Sequence, residues 1–108
     1  MTVDLDWENL GFNYRKLPFR YISYYKDGKW DEGQLTEDAT LHISEASPAL
    51  HYGQEAFEGL KAYRTKDGSI QLFRPDENAK RLQRTADRLL MPEVPVDKFV
   101  DACKQVVR

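Results

Sequence analysis

Residues that favour β-structure first gather in the segment FRYISYYKDGKWDEGQLT, residues 19–36. The residues that suit a pleated surface are Tyr21, Ile22, Tyr24 and Tyr25. Asp27-Gly28 then supplies the pair that tolerates positive φ in a tight turn. The pattern predicts a β-hairpin that turns at this pair.

A second hairpin is predicted in FEGLKAYRTKDGSIQLFR, residues 57–74, where Leu60 and Ala62 alternate with Lys61 and Tyr63. Its turn falls at Asp67-Gly68, before the apolar residues Ile70, Leu72 and Phe73. The intervening segment ISEASPALHYG mixes Ser, Pro and Gly. It is therefore predicted to be a loop with a short helical turn at most.

Two helices are predicted after the hairpins. The first begins at Pro75-Asp76 and ends before Pro92. Its apolar face consists of Ala79, Leu82, Ala86, Leu89 and Leu90. The second begins near Asp97, and its apolar side consists of Phe99, Cys103, Val106 and Val107. The predicted fold class is α+β, a small antiparallel sheet with hairpins followed by two helices.

The last helix reaches Arg108 without Gly, Pro or a polar tail to end it. We therefore expect the chain to be one piece of a longer protein.

Composition narrows the class of protein. A length of 108 residues suits one compact domain, and 41% hydrophobic content excludes a disordered tail. The net charge of −2 comes from scattered charges without a basic patch, which argues against nucleic acid as a partner. A single cysteine, no secretory signal and no apolar run of about 20 residues predict a cytoplasmic protein without a membrane span.

Lys61 and His51 are the first candidates for chemistry. A lysine beside aromatic residues can act as a nucleophile, but strand alternation places Lys61 opposite its apolar neighbours, where a solvated side chain is the rule. His51 has neither a cysteine nor a second histidine at metal-ligand spacing, since His42 lies nine positions earlier. We therefore predict no metal site, and a locally hydrogen-bonded histidine.

Tyr52 and Phe57 flank Gly53 and precede Gly59. Aromatic residues in such a loop pack in a core or form the wall of an apolar pocket, and the residues alone leave both interpretations open. The glutamates of this region, Glu45, Glu55 and Glu58, form no evident acid–base pair and are predicted to lie on the surface.

Arg81, Arg84 and Arg88 form a basic stripe on the first predicted helix. A guanidinium presents a planar fork of donors that suits phosphate, but spacing alone favours a solvated face. In that interpretation Glu77 supports Arg81 through an i, i+4 pair.

The stretch ALHYGQEAFEGLKAYR, together with LFRPDENAKRLQRTADRLLMP, closely resembles the branched-chain amino acid aminotransferases of the fold-type-IV pyridoxal-phosphate class. The resemblance covers almost the whole chain and is weakest over about the first 20 residues. It implies that residues 1–108 are the small N-terminal domain. The larger C-terminal domain, which in this family carries the lysine that binds the cofactor, would be absent.

The resemblance also implies site residues. Arg81 matches the arginine that contacts the cofactor phosphate, while Arg84 and Arg88 keep their surface assignment. Tyr52 and Phe57 match aromatic residues that line the pocket for the aliphatic side chain of the substrate, and Phe12 corresponds to another. No catalytic residue is expected in this chain, so the isolated chain is expected to be inactive.

As the resemblance implies, the complete enzyme uses pyridoxal 5′-phosphate to transfer the amino group of leucine, isoleucine or valine to 2-oxoglutarate, and it is a homodimer. Two alternatives stay open. One is a D-amino acid aminotransferase or aminodeoxychorismate lyase of the same fold, and the other is a non-catalytic binding or assembly module.

Overall fold

The computed structural model describes residues 16–107, and Phe12 lies outside them. Within this range the chain forms six short strands and three helices. The strands are β1 (Arg20–Ile22), β2 (Tyr25–Lys26), β3 (Lys29–Trp30), β4 (Gln34–Thr36), β5 (Ala62–Arg64) and β6 (Ile70–Leu72). The helices are α1 (Pro48–Tyr52), α2 (Pro75–Arg88) and α3 (Val96–Val107). The predicted α+β class is confirmed.

The first hairpin is confirmed, but it is interrupted. Strand β2 pairs antiparallel with β3, and β1 pairs antiparallel with β4. At the turn, Asp27 has a φ of 53° and Gly28 a φ of 81°, as a two-residue hairpin turn with two positive φ values requires. Between the two ladders Ser23 Oγ donates a hydrogen bond of 2.7 Å to Asp31 Oδ1, which lowers the pKa of the Asp31 carboxyl. A side-chain hydrogen bond thus supplements the backbone bond from Asp31 N–H to the carbonyl oxygen of Tyr24 where the paired register is broken.

The second hairpin, formed by β5 and β6, is also confirmed. Ala62 pairs with Leu72 and Arg64 with Ile70. In the turn, Asp67 Oδ1 accepts hydrogen bonds from the hydroxyl of Thr65 and, at 3.0 Å, from the backbone N–H of Ser69.

All three residues of β5 are exposed. Strand β5 pairs only with β6 among the described residues, so it belongs to a two-stranded ribbon. Lys61 immediately precedes β5 and is exposed, as the solvated interpretation predicts.

Helices α2 and α3 pack against each other, and α3 also contacts β1. Pro75 occupies the first turn of α2, as predicted, and Ala79 and Ala86 are the only fully buried hydrophobic residues in the described part of the chain. Leu90 was wrongly assigned to the apolar face. It lies beyond the end of α2 with a φ of 57°, and its side chain is 90% exposed.

The hairpin of β2 and β3 is fixed to the helical layer by two long-range hydrogen bonds. Trp30 Nε1 donates to the carbonyl oxygen of Glu93 at 2.9 Å, and Lys98 Nζ donates to the carbonyl oxygen of Asp31 at 2.5 Å. Polar contacts therefore contribute to the joining of the layers, where few apolar side chains are fully buried.

Replacing Gly33 by alanine is expected to reduce the free energy of unfolding by about 2–3 kcal/mol. Gly33 has a φ of 72°, and an added Cβ would overlap the hydroxyl end of Tyr21, which donates a hydrogen bond to the carbonyl oxygen of Glu32. Chemical denaturation measures the change. The matched control is Gly68→Ala, which has a positive φ but open space around the new Cβ. Equal losses in the two variants would show that the Tyr21 contact is unimportant.

Candidate functional site

A buried carboxylate joins the segment before β5 to helix α2. Arg81 donates to Glu58 through Nε, at 2.8 Å from Oε2, and through Nη2 to Oε1. Asn78, one turn earlier on α2, donates from Nδ2 to Glu58 Oε1 at 2.8 Å and to the carbonyl oxygen of Gly59 at 2.9 Å. We call Glu58, Asn78 and Arg81 the carboxylate–arginine cluster.

The exposure of the two charged partners differs strongly. The side chain of Glu58 is 6% exposed, whereas that of Arg81 is 60% exposed. The carboxylate thus lies beneath a guanidinium that solvent or a ligand can reach. Such paired N–H···O bonds to a carboxylate are strong and fix the plane of the guanidinium.

The cluster shifts the ionisation of both partners. Hydrogen bonds from the Arg81 guanidinium, assisted by Asn78, lower the pKa of Glu58 to about 2, although burial acts in the opposite direction. The same carboxylate raises the pKa of Arg81. Both groups are therefore ionised at neutral pH.

Acid is expected to destabilise the chain through this cluster. Since the pKa of Glu58 is lower in the folded state, its contribution is fully present above about pH 4.5 and is lost as the pH falls toward about 2. Unfolding experiments between pH 6 and pH 2 measure the slope. Glu58→Gln should unfold with a shallower dependence on pH, and an unchanged slope in this variant would contradict the assignment.

Two predictions about this cluster were wrong. Glu58 was placed on the surface, yet its side chain is almost fully buried against α2. Glu77 was expected to support Arg81, but it pairs with Arg74 at 3.4 Å and with Lys80 at 3.7 Å. The partner of Arg81 lies 23 positions away in sequence, so helical spacing could not identify it.

The two aromatic candidates are exposed in the described structure. Tyr52, at the end of α1, is 87% exposed and Phe57 is 89% exposed, so neither packs in a core here. The ring of Phe57 lies over Gly59, where an added Cβ would be 3.6 Å from the ring. Both interpretations that the sequence left open, a core position and the wall of an apolar pocket, therefore depend on residues beyond those described here.

Sequence reasoning missed the contact that holds the Tyr52 segment in place. Gln54 Nε2 donates to the carbonyl oxygen of Leu89 at 2.7 Å, which joins the end of α1 to the end of α2. His51 Nε2 donates to the carbonyl oxygen of Glu45 at 2.6 Å, the local bond that was predicted for this residue. Helix α2 thus anchors both segments that carry the aromatic candidates, through Gln54 and through Glu58.

No group of three or more metal-ligating side chains occurs in residues 16–107, and none of the helices in this range is long and apolar enough to cross a membrane. Arg84 and Arg88 are exposed, in agreement with the predicted solvated face.

Comparison of the sequence with known proteins shows that the chain is similar to aminotransferases. No family model matches the chain. A branched-chain-amino-acid aminotransferase of Haemophilus influenzae is 70% identical over 97% of the chain, and one of Helicobacter pylori is 55% identical over the same share. A methionine aminotransferase of Arabidopsis thaliana is 46% identical over 96% of the chain.

The resemblance to branched-chain-amino-acid aminotransferases is thereby confirmed. The chain spans 31% of the length of the Haemophilus influenzae and Helicobacter pylori proteins. It therefore corresponds to about a third of such an enzyme.

Proposed function

We propose that this chain is one part of a branched-chain amino acid aminotransferase, in which it contributes the cofactor phosphate contact and part of the substrate pocket. The observation that carries the proposal is the placement of two adjacent residues. Phe57 exposes an apolar ring, while Glu58 is buried against Arg81. The exposed ring thus directly precedes, in sequence, the residue that binds an exposed guanidinium, which supports a site for a phosphorylated cofactor and an aliphatic substrate.

The donors of Arg81 fit the phosphate of pyridoxal 5′-phosphate. A guanidinium has five N–H donors, and Glu58 accepts from two of its nitrogens, Nε and Nη2. The hydrogen bonds among residues 16–107 leave Nη1 and the second hydrogen of Nη2 on one edge, which matches two phosphate oxygens. When bound, the cofactor supplies an electron sink for the reacting carbon of the amino acid. This chain's part is to hold the phosphate and to keep water from the apolar side of the substrate.

The substrate side chain is proposed to contact Tyr52, Phe57 and Phe12. Apolar burial contributes about 25 cal/mol per Å², so aromatic rings suit leucine, isoleucine and valine. One methylene changes binding by only about 1–3 kcal/mol, so these three are expected to share the pocket. The methionine aminotransferase relative favours methionine as a second candidate substrate, because its side chain is also long and apolar.

The remaining features of the complete enzyme are part of the same proposal. They are a homodimeric assembly, 2-oxoglutarate as the amino acceptor, a cytoplasmic location and inactivity of the isolated chain. Several large apolar side chains are exposed, among them Leu50, Tyr52, Phe57 and Phe73. An exposed apolar surface of this kind is typical of an interface, which supports burial against the rest of the enzyme.

The test is an assay of the full-length protein that contains this chain. With pyridoxal 5′-phosphate, L-leucine and 2-oxoglutarate it should form glutamate, whereas residues 1–108 alone should form none. A parallel assay with D-leucine separates a branched-chain aminotransferase from a D-amino acid aminotransferase, because the latter would use only the D-enantiomer. No glutamate from either enantiomer would favour the lyase or the non-catalytic module.

A further inference from the structure

The carboxylate–arginine cluster contains a charged group to which the proposed function gives no role. Glu58 is ionised and 6% exposed, and it is surrounded by donors from Arg81 and Asn78. Burial of a carboxylate is unfavourable unless its oxygens are paired. Here both oxygens accept hydrogen bonds, so the carboxylate is fully paired and holds the side chains of Asn78 and Arg81 in place.

The hydrogen bonds define which edge of the guanidinium remains available. Glu58 occupies the edge formed by Nε and Nη2. Because the guanidinium is planar and rigid, its Nη1–Nη2 edge then has a fixed direction. Asn78 in turn keeps the carboxylate from rotating, since its Nδ2 is bound to Glu58 Oε1 and to the carbonyl oxygen of Gly59.

We propose that Glu58 is a positioning residue, which holds the Arg81 guanidinium so that its Nη1–Nη2 edge meets the cofactor phosphate. The inference rests on the proposed function and adds a residue to it. Arg81 is 60% exposed, so without Glu58 its long side chain would sample many rotamers. Phosphate binding would then have to order the side chain as well as bind it, which weakens affinity.

Positioning of Arg81 by Glu58 raises phosphate affinity, whereas the negative charge of Glu58 lowers it, because a carboxylate repels a phosphate. The repulsion is reduced by the intervening guanidinium and by screening at the exposed edge. The two effects predict opposite results for the neutral substitution Glu58→Gln. If positioning dominates, phosphate affinity falls, and if repulsion dominates, phosphate affinity rises.

The experiment compares pyridoxal 5′-phosphate with pyridoxal, which lacks the phosphate, in the full-length protein. Glu58→Gln should weaken affinity for the phosphorylated compound about tenfold, the effect of losing roughly one charge-assisted hydrogen bond. Affinity for pyridoxal should not change. In an Arg81→Ala background, Glu58→Gln should weaken the affinity no further, since the favourable effect of Glu58 acts through Arg81.

The matched control is Glu55→Gln, which removes the same charge from an exposed glutamate three positions earlier. It should leave both affinities unchanged. If Glu58→Gln loses pyridoxal affinity as well, Glu58→Asp decides, because it keeps the charge but shortens the side chain. A loss confined to the phosphorylated compound in Glu58→Asp supports positioning, and loss of both compounds in both variants overturns it.

The results also separate this inference from the proposed function. If Arg81→Ala leaves affinity for pyridoxal 5′-phosphate unchanged, the proposed phosphate contact is wrong. If Arg81→Ala weakens that affinity while Glu58→Gln leaves it unchanged or raises it, the phosphate contact stands and only the positioning role of Glu58 is overturned.

Discussion

Replacing Arg81 by alanine is expected to weaken the affinity of the full-length protein for pyridoxal 5′-phosphate about 100-fold. In the proposed function, the exposed Nη1–Nη2 edge donates two charge-assisted hydrogen bonds to a dianionic phosphate, and alanine removes both. Absorbance titration of the cofactor-free protein measures the dissociation constant. Pyridoxal, titrated in parallel, should bind both proteins equally.

Arg84→Ala is the matched control, since Arg84 is an exposed arginine three positions further along α2. It should leave the affinity unchanged. The assignment of Arg81 would be contradicted by equal losses in the two variants, which would indicate a general effect of positive charge on this helix.

Replacing Tyr52 by alanine is expected to lower kcat/KM for L-leucine about 30-fold, with affinity for pyridoxal 5′-phosphate unchanged. Loss of roughly 80 Å² of apolar contact at about 25 cal/mol per Å² corresponds to about 2 kcal/mol, which is a factor of about 30. Initial rates with L-leucine measure the effect. Since Tyr52 is 87% exposed, its removal should change the fold little.

Two controls accompany this variant. Tyr52→Phe keeps the ring and should retain most of the activity, and L-alanine as substrate should be affected less than L-leucine because it has little apolar surface to bury. Equal effects of Tyr52→Ala and Arg81→Ala on substrate and cofactor would contradict the division of roles between the two residues.

Local chemistry made much of the fold predictable. The pairs Asp27-Gly28 and Asp67-Gly68 located both hairpin turns. Asp27, Gly28 and Gly68 have positive φ values, which few residue types tolerate. Apolar residues at helical spacing predicted α2, and Pro75 marked its start because proline is favoured in the first turn of a helix. The pattern did not predict the break between the two ladders of the first hairpin, where a side-chain hydrogen bond joins Ser23 to Asp31.

The candidate site was less predictable, because its parts come from distant positions. Glu58 binds Asn78 and Arg81, which are 20 and 23 positions away, so no local period connects them. The exposure of Phe57 also departs from ordinary packing, in which aromatic rings are buried. Resemblance to a family suggested that Arg81 and the aromatic residues act together, but the buried partner of Arg81 emerged only from the folded arrangement.

A crystal structure of the full-length protein with pyridoxal 5′-phosphate would show whether Arg81, held by Glu58, binds the cofactor phosphate beside the aromatic residues. We expect phosphate oxygens within about 3 Å of Arg81 Nη1 and Nη2, with Nε still bound to Glu58. A phosphate bound elsewhere, or an Arg81 that leaves Glu58 to reach it, would rule out both the phosphate contact and the role of Glu58 as proposed.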